Sequence, residues 1–285
     1  MKKIGITTDC VCDLPEEYLE INDVGVAYFY ITTSTGRFCD GSEIDSANII
    51  EYLETGGEKA VTTEPDAHKY KDIFENYLKK YDEIIHICIS SYTSISYQNA
   101  LAALDLMGDK SKCVHIIDSH HLSTGMGHMI IKAVEMRDKG SSAEEIIAEM
   151  AVLKKKISTS FITMNADYLY RNGRVSKTVR DISVLFRLYP VLTMKNGKMT
   201  LKSIQIGNYE KSVMRYIKNE LRNNKKIDKR RLFITHAGCK VKMIAEVKAE
   251  IEKLCKFDEV IVTTASATVS GNCGPGALGV LFIKN

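Results

Sequence analysis

The 285-residue chain lacks the features that mark membrane, secreted or zinc-binding proteins. No stretch approaches 18 consecutive apolar residues, the length that a membrane-spanning helix needs. The first residues, MKKIGITTDC, have neither the apolar core nor the small-residue cleavage site of a signal peptide. None of the eight cysteines falls in a CxxC pair, which argues against a zinc site. These absences predict a cytoplasmic protein with no integral membrane segment, whose cysteines are thiols and partly core residues.

Motifs for catalysis and nucleotide binding are missing as well. There is no GxSxG, no HExxH, no P-loop, and no GxGxxG after the first predicted strand. His120, His121 and His128 are the closest group of histidines, but no carboxylate joins them at ligand spacing. The sequence therefore predicts a protein that is not an enzyme and has neither a metal nor a cofactor.

The charge balance argues against a nucleic-acid partner. Lysine and arginine total 39 and aspartate and glutamate 36, a net charge of +3. Two basic clusters, 154–156 and 225–231, lack the interleaved aromatic residues of a base-stacking surface.

Strands and helices alternate along the first half of the chain. Apolar runs at residues 3–9, 24–32, 84–89 and 113–118 predict strands, with a helix expected after each run. In the second half, Asn196-Gly197 predicts a hairpin, and a glycine-rich turn at residues 271–279 leads to a last strand. The predicted fold class is α/β with two domains: an N-terminal parallel-sheet α/β/α layer (1–157) and a C-terminal α+β domain with a mixed sheet (158–285).

One stretch, Glu83–Ala100, is rich in hydroxyl groups where a buried strand ends. Five such residues fall within seven positions: Ser90, Ser91, Thr93, Ser94 and Ser96. Ligands of open α/β sheets bind at the carboxyl ends of strands, and a helix N-terminus with hydroxyl donors suits an anion. The alternative is a simple helix cap, although one cap needs only one hydroxyl.

Similar polar groups follow other predicted strands, at residues 7–9, 62–63 and 119–123. These polar groups would meet at one edge of the sheet and form a rim above a large apolar interior. This combination predicts a protein that binds an amphiphile. The alternative is an enzyme that acts on an acyl or small phosphorylated substrate in an interdomain cleft, with Asp9, Asp118 or a histidine as acid or base.

The order of the motifs resembles that of the DegV family over the whole chain. The segments that carry this resemblance are TTDCVCDLP, VTTEP, ISSYTSISYQNA, IIDSHHLSTGMG, YLYRNGRVSK, THAG and GPGALGVLF. The resemblance implies two α/β domains that enclose a long-chain fatty acid, with the domain 158–285 covering the acyl tail. It also implies that some members present the bound acid to a fatty acid kinase, which phosphorylates the carboxylate.

The resemblance also implies a set of fatty-acid-binding residues. Thr62 and Ser94 match the family residues that bind the carboxylate. Thr63, Ser90 and Ser91 are the expected neighbours in the head-group site, and Cys273 lies before the GPG turn where relatives usually have histidine.

Other departures concern the head group and the partner. Glu64 stands in place of a glutamine, and a glutamate beside a bound carboxylate repels it unless it points away or is protonated. Ile95 replaces the glycine of the hydroxyl loop. The segment LKSIQIGNYEK lacks the arginine that contacts the kinase in some members. Fatty-acid binding is therefore a stronger expectation than partnership with a kinase.

Overall fold

The computed structural model describes residues 2–57, 60–173 and 175–285. The strands within these ranges are β1 (Ile4–Asp9), β2 (Val24–Ala27), β3 (Tyr30–Thr33), β4 (Gly36–Cys39), β5 (Val61–Thr63), β6 (Glu83–Cys88), β7 (Val114–Asp118), β8 (Ile157–Ile162), β9 (Leu188–Lys195), β10 (Lys198–Ile206), β11 (Ile227–His236), β12 (Glu259–Thr264) and β13 (Leu278–Lys284). The helices are α1 (Glu16–Ile21), α2 (Ser46–Glu54), α3 (Ala67–Tyr77), α4 (Ser96–Asp105), α5 (Thr124–Asp138), α6 (Ala143–Lys156), α7 (Ala166–Arg171), α8 (Lys177–Leu185), α9 (Tyr209–Glu220), α10 (Val241–Leu254) and α11 (Ala267–Cys273).

A four-stranded parallel sheet forms the first half of the molecule, in the order β2-β1-β6-β7. Every residue of β1 and β6 is buried, as expected for near-continuous apolar runs covered on both faces by helices. The predicted parallel α/β layer is confirmed.

The expected single strand at residues 24–32 is wrong, because the chain changes sheets there. β2 ends at Ala27, and β3 then pairs with β4 and β5 in a separate antiparallel sheet of three strands. Between them, the Phe29 backbone N–H donates to the Cys10 sulfur at 3.2 Å, and its carbonyl accepts from the Asp40 N–H at 2.9 Å. These long-range bonds turn the backbone away from the parallel sheet, which local sequence does not reveal.

A six-stranded mixed sheet forms the second half, in the order β10-β9-β8-β13-β11-β12, with only β11 and β12 parallel. The β9–β10 hairpin turns at Asn196 (φ 49°) and Gly197 (φ 81°), as the Asn-Gly pair predicts. The glycine-rich segment differs from the expectation, since α11 continues to Cys273 before the chain turns at Gly274 and Gly276. The predicted mixed sheet is confirmed, whereas the domain boundary at 157/158, which falls one residue into β8, stays a prediction.

Helix α5 lies between the two large sheets and contacts β1 and β6 on one side and β8 and β13 on the other. Ten of its fifteen residues are buried, so it is apolar around most of its circumference. Among the described helices, none combines the length and the apolar character that crossing a membrane requires.

His128 of α5 predicts a pH dependence of stability. Its Nε2–H donates to the Leu281 carbonyl at 3.1 Å, and burial lowers its pKa from 6.5 to about 4. The unfolded chain therefore binds the proton more readily, so this stabilisation is complete above pH 6.5 and is lost as the pH falls to about 4. We expect the free energy of unfolding to fall between about pH 7 and pH 4 by about 3 kcal/mol more in the wild type than in His128→Gln.

The measurement is urea unfolding of both proteins at several pH values. His128→Gln is the matched control, because glutamine can still donate to the Leu281 carbonyl but does not titrate. Other titrating groups are common to both proteins, including Asp13, whose burial raises its pKa to about 7 and which acts in the opposite direction. If the free energy of unfolding falls equally with pH in both proteins, His128 is not the source of the pH dependence.

Candidate ligand-binding site

The loop between β6 and α4 lies at the carboxyl end of the parallel sheet, where the sequence predicts a ligand site. Asp9, at the end of β1, holds this loop in place. Its buried carboxylate accepts hydrogen bonds from the Ile89 N–H (2.8 Å), the Ser96 hydroxyl (2.5 Å) and the Tyr70 hydroxyl (2.6 Å). The buried Asp9 carboxylate therefore fixes the loop conformation through these hydrogen bonds.

Several hydroxyls of this loop have structural partners. Ser90 donates to the Gly197 carbonyl at 2.6 Å and so ties the loop to the β9–β10 hairpin. Ser91 donates to the Asp118 carboxylate at 2.5 Å, and Thr93 donates to the Ser90 carbonyl at 2.9 Å. These bonds account for much of the loop's hydroxyl content without a ligand.

Ser94 has a different kind of partner. Its hydroxyl donates to Glu64 Oε1 at 2.6 Å, while its oxygen accepts from the Ser96 N–H at 3.1 Å. Both Ser94 and Glu64 are only partly buried. This contact brings the loop next to the segment that follows β5. Thr62 and Thr63 are the last two residues of that strand.

Thr62 and Thr63 point to opposite faces of the three-stranded sheet. Thr62 lies opposite Ile31 and Thr63 opposite Tyr30, and cross-strand partners share a face. Ile31 belongs to the apolar cluster that also contains Cys273, so Thr62 lies on the face of that cluster. Thr63 is exposed on the other face. β5 belongs to the small sheet, so the expected rim of one sheet is in fact assembled from two.

Cys273 lies at the end of α11, which packs against α2 and β3. It helps to line a cavity of about 30 Å³ together with largely apolar neighbours, among them Phe161, Val269, Ala277 and Leu281. This volume is about that of one water molecule in the liquid. The walls must therefore separate before a long apolar chain can enter.

A larger cleft of about 450 Å³ lies at the N-terminal end of α11, next to α1 and the start of α2. Its lining includes four carboxylic acids, Asp13, Glu16, Asp40 and Asp45. A wall lined by carboxyl groups offers an anionic head group no cation and repels it wherever these groups are ionised, so size alone does not identify the site.

Two of these acids hold the N-terminus of α11 in place, a role that the sequence did not predict. Asp13 accepts from the Ser266 N–H at 2.8 Å, and Asp40 accepts from the Ala267 and Thr268 N–H groups at 3.0 and 2.9 Å. Burial raises the pKa of Asp13 to about 7 and also raises that of Asp40. The contacts join residues more than 220 positions apart, so no local pattern announces them.

Among the described residues, close histidine–aspartate pairs, which would favour the alternative of an enzyme, occur in two places. His86 Nε2 lies 3.4 Å from Asp9 Oδ1, but both side chains are fully buried below the loop. His120 Nε2 lies 3.6 Å from Asp118 Oδ2. Ser91 donates its proton to that same carboxylate rather than to His120, so the imidazole is not placed to activate the serine.

Potential metal ligands cluster at Asp9, His86 and Cys88, whose ligand atoms lie within 4.8 Å of one another. The Asp9 carboxylate already accepts three hydrogen bonds, and burial raises the pKa of the Cys88 thiol well above its usual value. A thiol must lose its proton to bind a metal, so this arrangement favours a hydrogen-bonded network.

The fold and the site together define an α/β protein with a parallel sheet, a mixed sheet, an apolar cavity between the mixed sheet and α11, and a hydroxyl-bearing loop at the edge of the parallel sheet. The family model described as the DegV family matches residues 3–285. A DegV domain-containing protein of Caldanaerobacter subterraneus subsp. tengcongensis is 30% identical over 284 residues, which cover 99% of each chain. The chain belongs to the DegV family.

Two solved structures illustrate what similar proteins bind. A DegV family protein from Thermus thermophilus, described by its fatty-acid binding, has a TM-score of 0.90 and 25% identity, and the match covers 100% of each chain. A DegV family protein from Eubacterium eligens, loaded with heptadecanoic acid, has a TM-score of 0.87 and 20% identity, and the match covers 99% of this chain and 100% of that one. The second likeness shows the fold alone.

Proposed function

We propose that this protein binds a long-chain fatty acid and carries it without transforming it. The carboxyl group lies at Thr62 and Ser94, and the acyl tail extends into the apolar cavity beside Cys273, between α11 and the six-stranded sheet. The proposal rests mainly on this cavity. Phe161 and Cys273 line it and also belong to the apolar cluster that Thr62 faces. The Ser94–Glu64 contact supports the proposal, because it joins the hydroxyl loop to the segment that begins one residue after Thr63 and two after Thr62.

The energetics favour a site in which the tail dominates. Each buried methylene contributes about 0.8 kcal/mol, so a tail of about 16 carbons supplies on the order of 10 kcal/mol before ordering and desolvation reduce it. Neutral hydroxyls then suffice for the head group. An arginine clamp would hold the carboxylate more tightly and hinder its transfer.

The remaining predicted residues have supporting roles in this proposal. Ser90 and Ser91 fix the shape of the loop through Gly197 and Asp118, and Cys273 contributes to the cavity wall. Thr63 stays a predicted neighbour, although its side chain lies on the opposite face from Thr62.

The proposal extends to a partner and a location. Presentation of the bound acid to a fatty acid kinase rests on the family resemblance. The cytoplasmic location rests on the scattered spacing of the cysteines, which lacks the pattern of a disulfide framework.

Native mass spectrometry of the protein purified from a bacterial host, followed by organic extraction, tests the proposal. We expect one bound acid of about 14 to 18 carbons, because apolar burial favours a long tail. In the Thr62→Ala/Ser94→Ala double variant, palmitate affinity should fall on the order of 100-fold, because two hydrogen bonds to a charged group are lost.

Thr32→Ala is the matched control, since it removes an exposed threonine hydroxyl of the same small sheet on the face opposite to Thr62. It should retain palmitate affinity within about threefold. A wild-type protein that is purified empty and fails to take up added palmitate or oleate would overturn the proposal.

A further inference from the structure

The Ser94 hydroxyl already donates its single proton to a carboxylate of the chain itself. Ser94 Oγ accepts from the Ser96 N–H, and this bond directs its own hydrogen towards Glu64 Oε1 at 2.6 Å. The place where Ser94 would meet a ligand's carboxylate is therefore next to the glutamate. A ligand at Ser94 must either displace Glu64 or lie against it.

Glu64 has no basic partner within the described ranges to neutralise it, since none of their ion pairs includes this residue. Two carboxylates that compete for one hydroxyl cannot both stay ionised at hydrogen-bond distance, and such pairs retain one proton between them. A shared proton turns the repulsion into a strong O–H···O⁻ hydrogen bond.

We propose that the fatty acid binds together with one proton, which the ligand carboxyl and Glu64 share beside Ser94. The inference rests on the proposed function and specifies the protonation state in which the ligand is held. The proton comes from the solvent: two carboxylates and one proton become a carboxylic acid hydrogen-bonded to a carboxylate. Glu64 is thus a specificity-determining residue for the head group.

Other ionisable groups lie near the site, and their effect on the pH dependence of binding must be distinguished from that of Glu64. Asp66 and His68 follow it in the chain, and Arg37 stacks on Tyr30, whose strand pairs with β5. The hydroxyl loop contributes Tyr92, and the cavity contributes His236 and Cys273. Glu64→Gln leaves all of these groups in place, so the comparison of the two proteins isolates the glutamate.

The test measures palmitate affinity by isothermal titration calorimetry at about pH 6.5, 7.5 and 8.5, in the wild type and in Glu64→Gln. Uptake of one proton requires the wild-type Kd to rise about tenfold per pH unit, and heats compared between two buffers should report uptake of about one proton. In Glu64→Gln the Kd should change by less than about threefold over this range, and binding at about pH 8.5 should be tighter than in the wild type.

Hexadecanamide provides a matched ligand, because its head group has similar size but does not ionise. Its affinity for the wild type should not depend on pH. Parallel pH profiles for palmitate in the two proteins, without proton uptake, would overturn the shared proton and leave fatty-acid binding intact. Loss of palmitate binding in a folded Glu64→Gln protein at every pH would also overturn it. Failure of both proteins to bind palmitate at any pH would instead refute the proposed function.

Discussion

Asp9→Ala is expected to lower the free energy of unfolding by about 4 kcal/mol, the scale on which breaking a buried, hydrogen-bonded charge acts. The carboxylate is completely buried and accepts from the Ile89 N–H and from the Tyr70 and Ser96 hydroxyls. Alanine leaves these three donors without their acceptor and opens a cavity between β1 and β6. Urea unfolding of the variant and the wild type measures the difference.

Tyr70→Phe is the companion variant, because it removes only one of the three donors and leaves the carboxylate in place. It should cost about 1 to 2 kcal/mol. A loss of less than about 1 kcal/mol in Asp9→Ala would show that the network does not hold the loop as described.

Gly125→Ala is expected to destabilise the protein by about 4 kcal/mol through overpacking and a broken hydrogen bond. A Cβ atom at Gly125 would lie 2.1 Å from Thr159 Oγ1, so α5 and β8 would have to move apart. Thr159 Oγ1 also bonds to His121 Nδ1 at 2.9 Å, and this bond would be displaced. Thermal or urea unfolding checks the prediction.

Two controls separate the steric conflict from a general effect of alanine in a helix. At Gly271, in α11, the nearest atom to an added Cβ is Ile49 Cγ1 at 3.3 Å, so Gly271→Ala should change stability by no more than about 1 kcal/mol. Thr159→Ala removes the clashing oxygen, so the Gly125→Ala/Thr159→Ala double variant should lose less stability than the two single variants together. Strict additivity would rule out a direct conflict between the two side chains.

Much of the fold follows from local patterns in the sequence. The buried runs of β1 and β6 predict a parallel sheet, and Asn196-Gly197 predicts the hairpin, because each signal lies within a few residues. The break between β2 and β3 could not be predicted in this way. It depends on bonds from Phe29 to Cys10 and Asp40, which are set by tertiary packing.

The candidate site was less accessible to prediction than the fold. The sequence indicates a hydroxyl-rich loop, but a hydroxyl does not reveal its partner. Ser90 and Ser91 bond to groups on distant elements, and Ser94 bonds to Glu64, 30 residues earlier in the chain. No local pattern reveals the role of the acids that hold α11, because that role is defined by a helix terminus that the chain reaches only near its end.

The narrow cavity between α11 and the six-stranded sheet has a consequence for the kinetics of ligand binding. A space of about 30 Å³ admits no acyl chain until the side chains that line it move apart. Under the proposed function, ligand entry and exit therefore depend on how often α11 and the six-stranded sheet move apart, and less on diffusion. A tail held in this way would leave the protein only when these walls open.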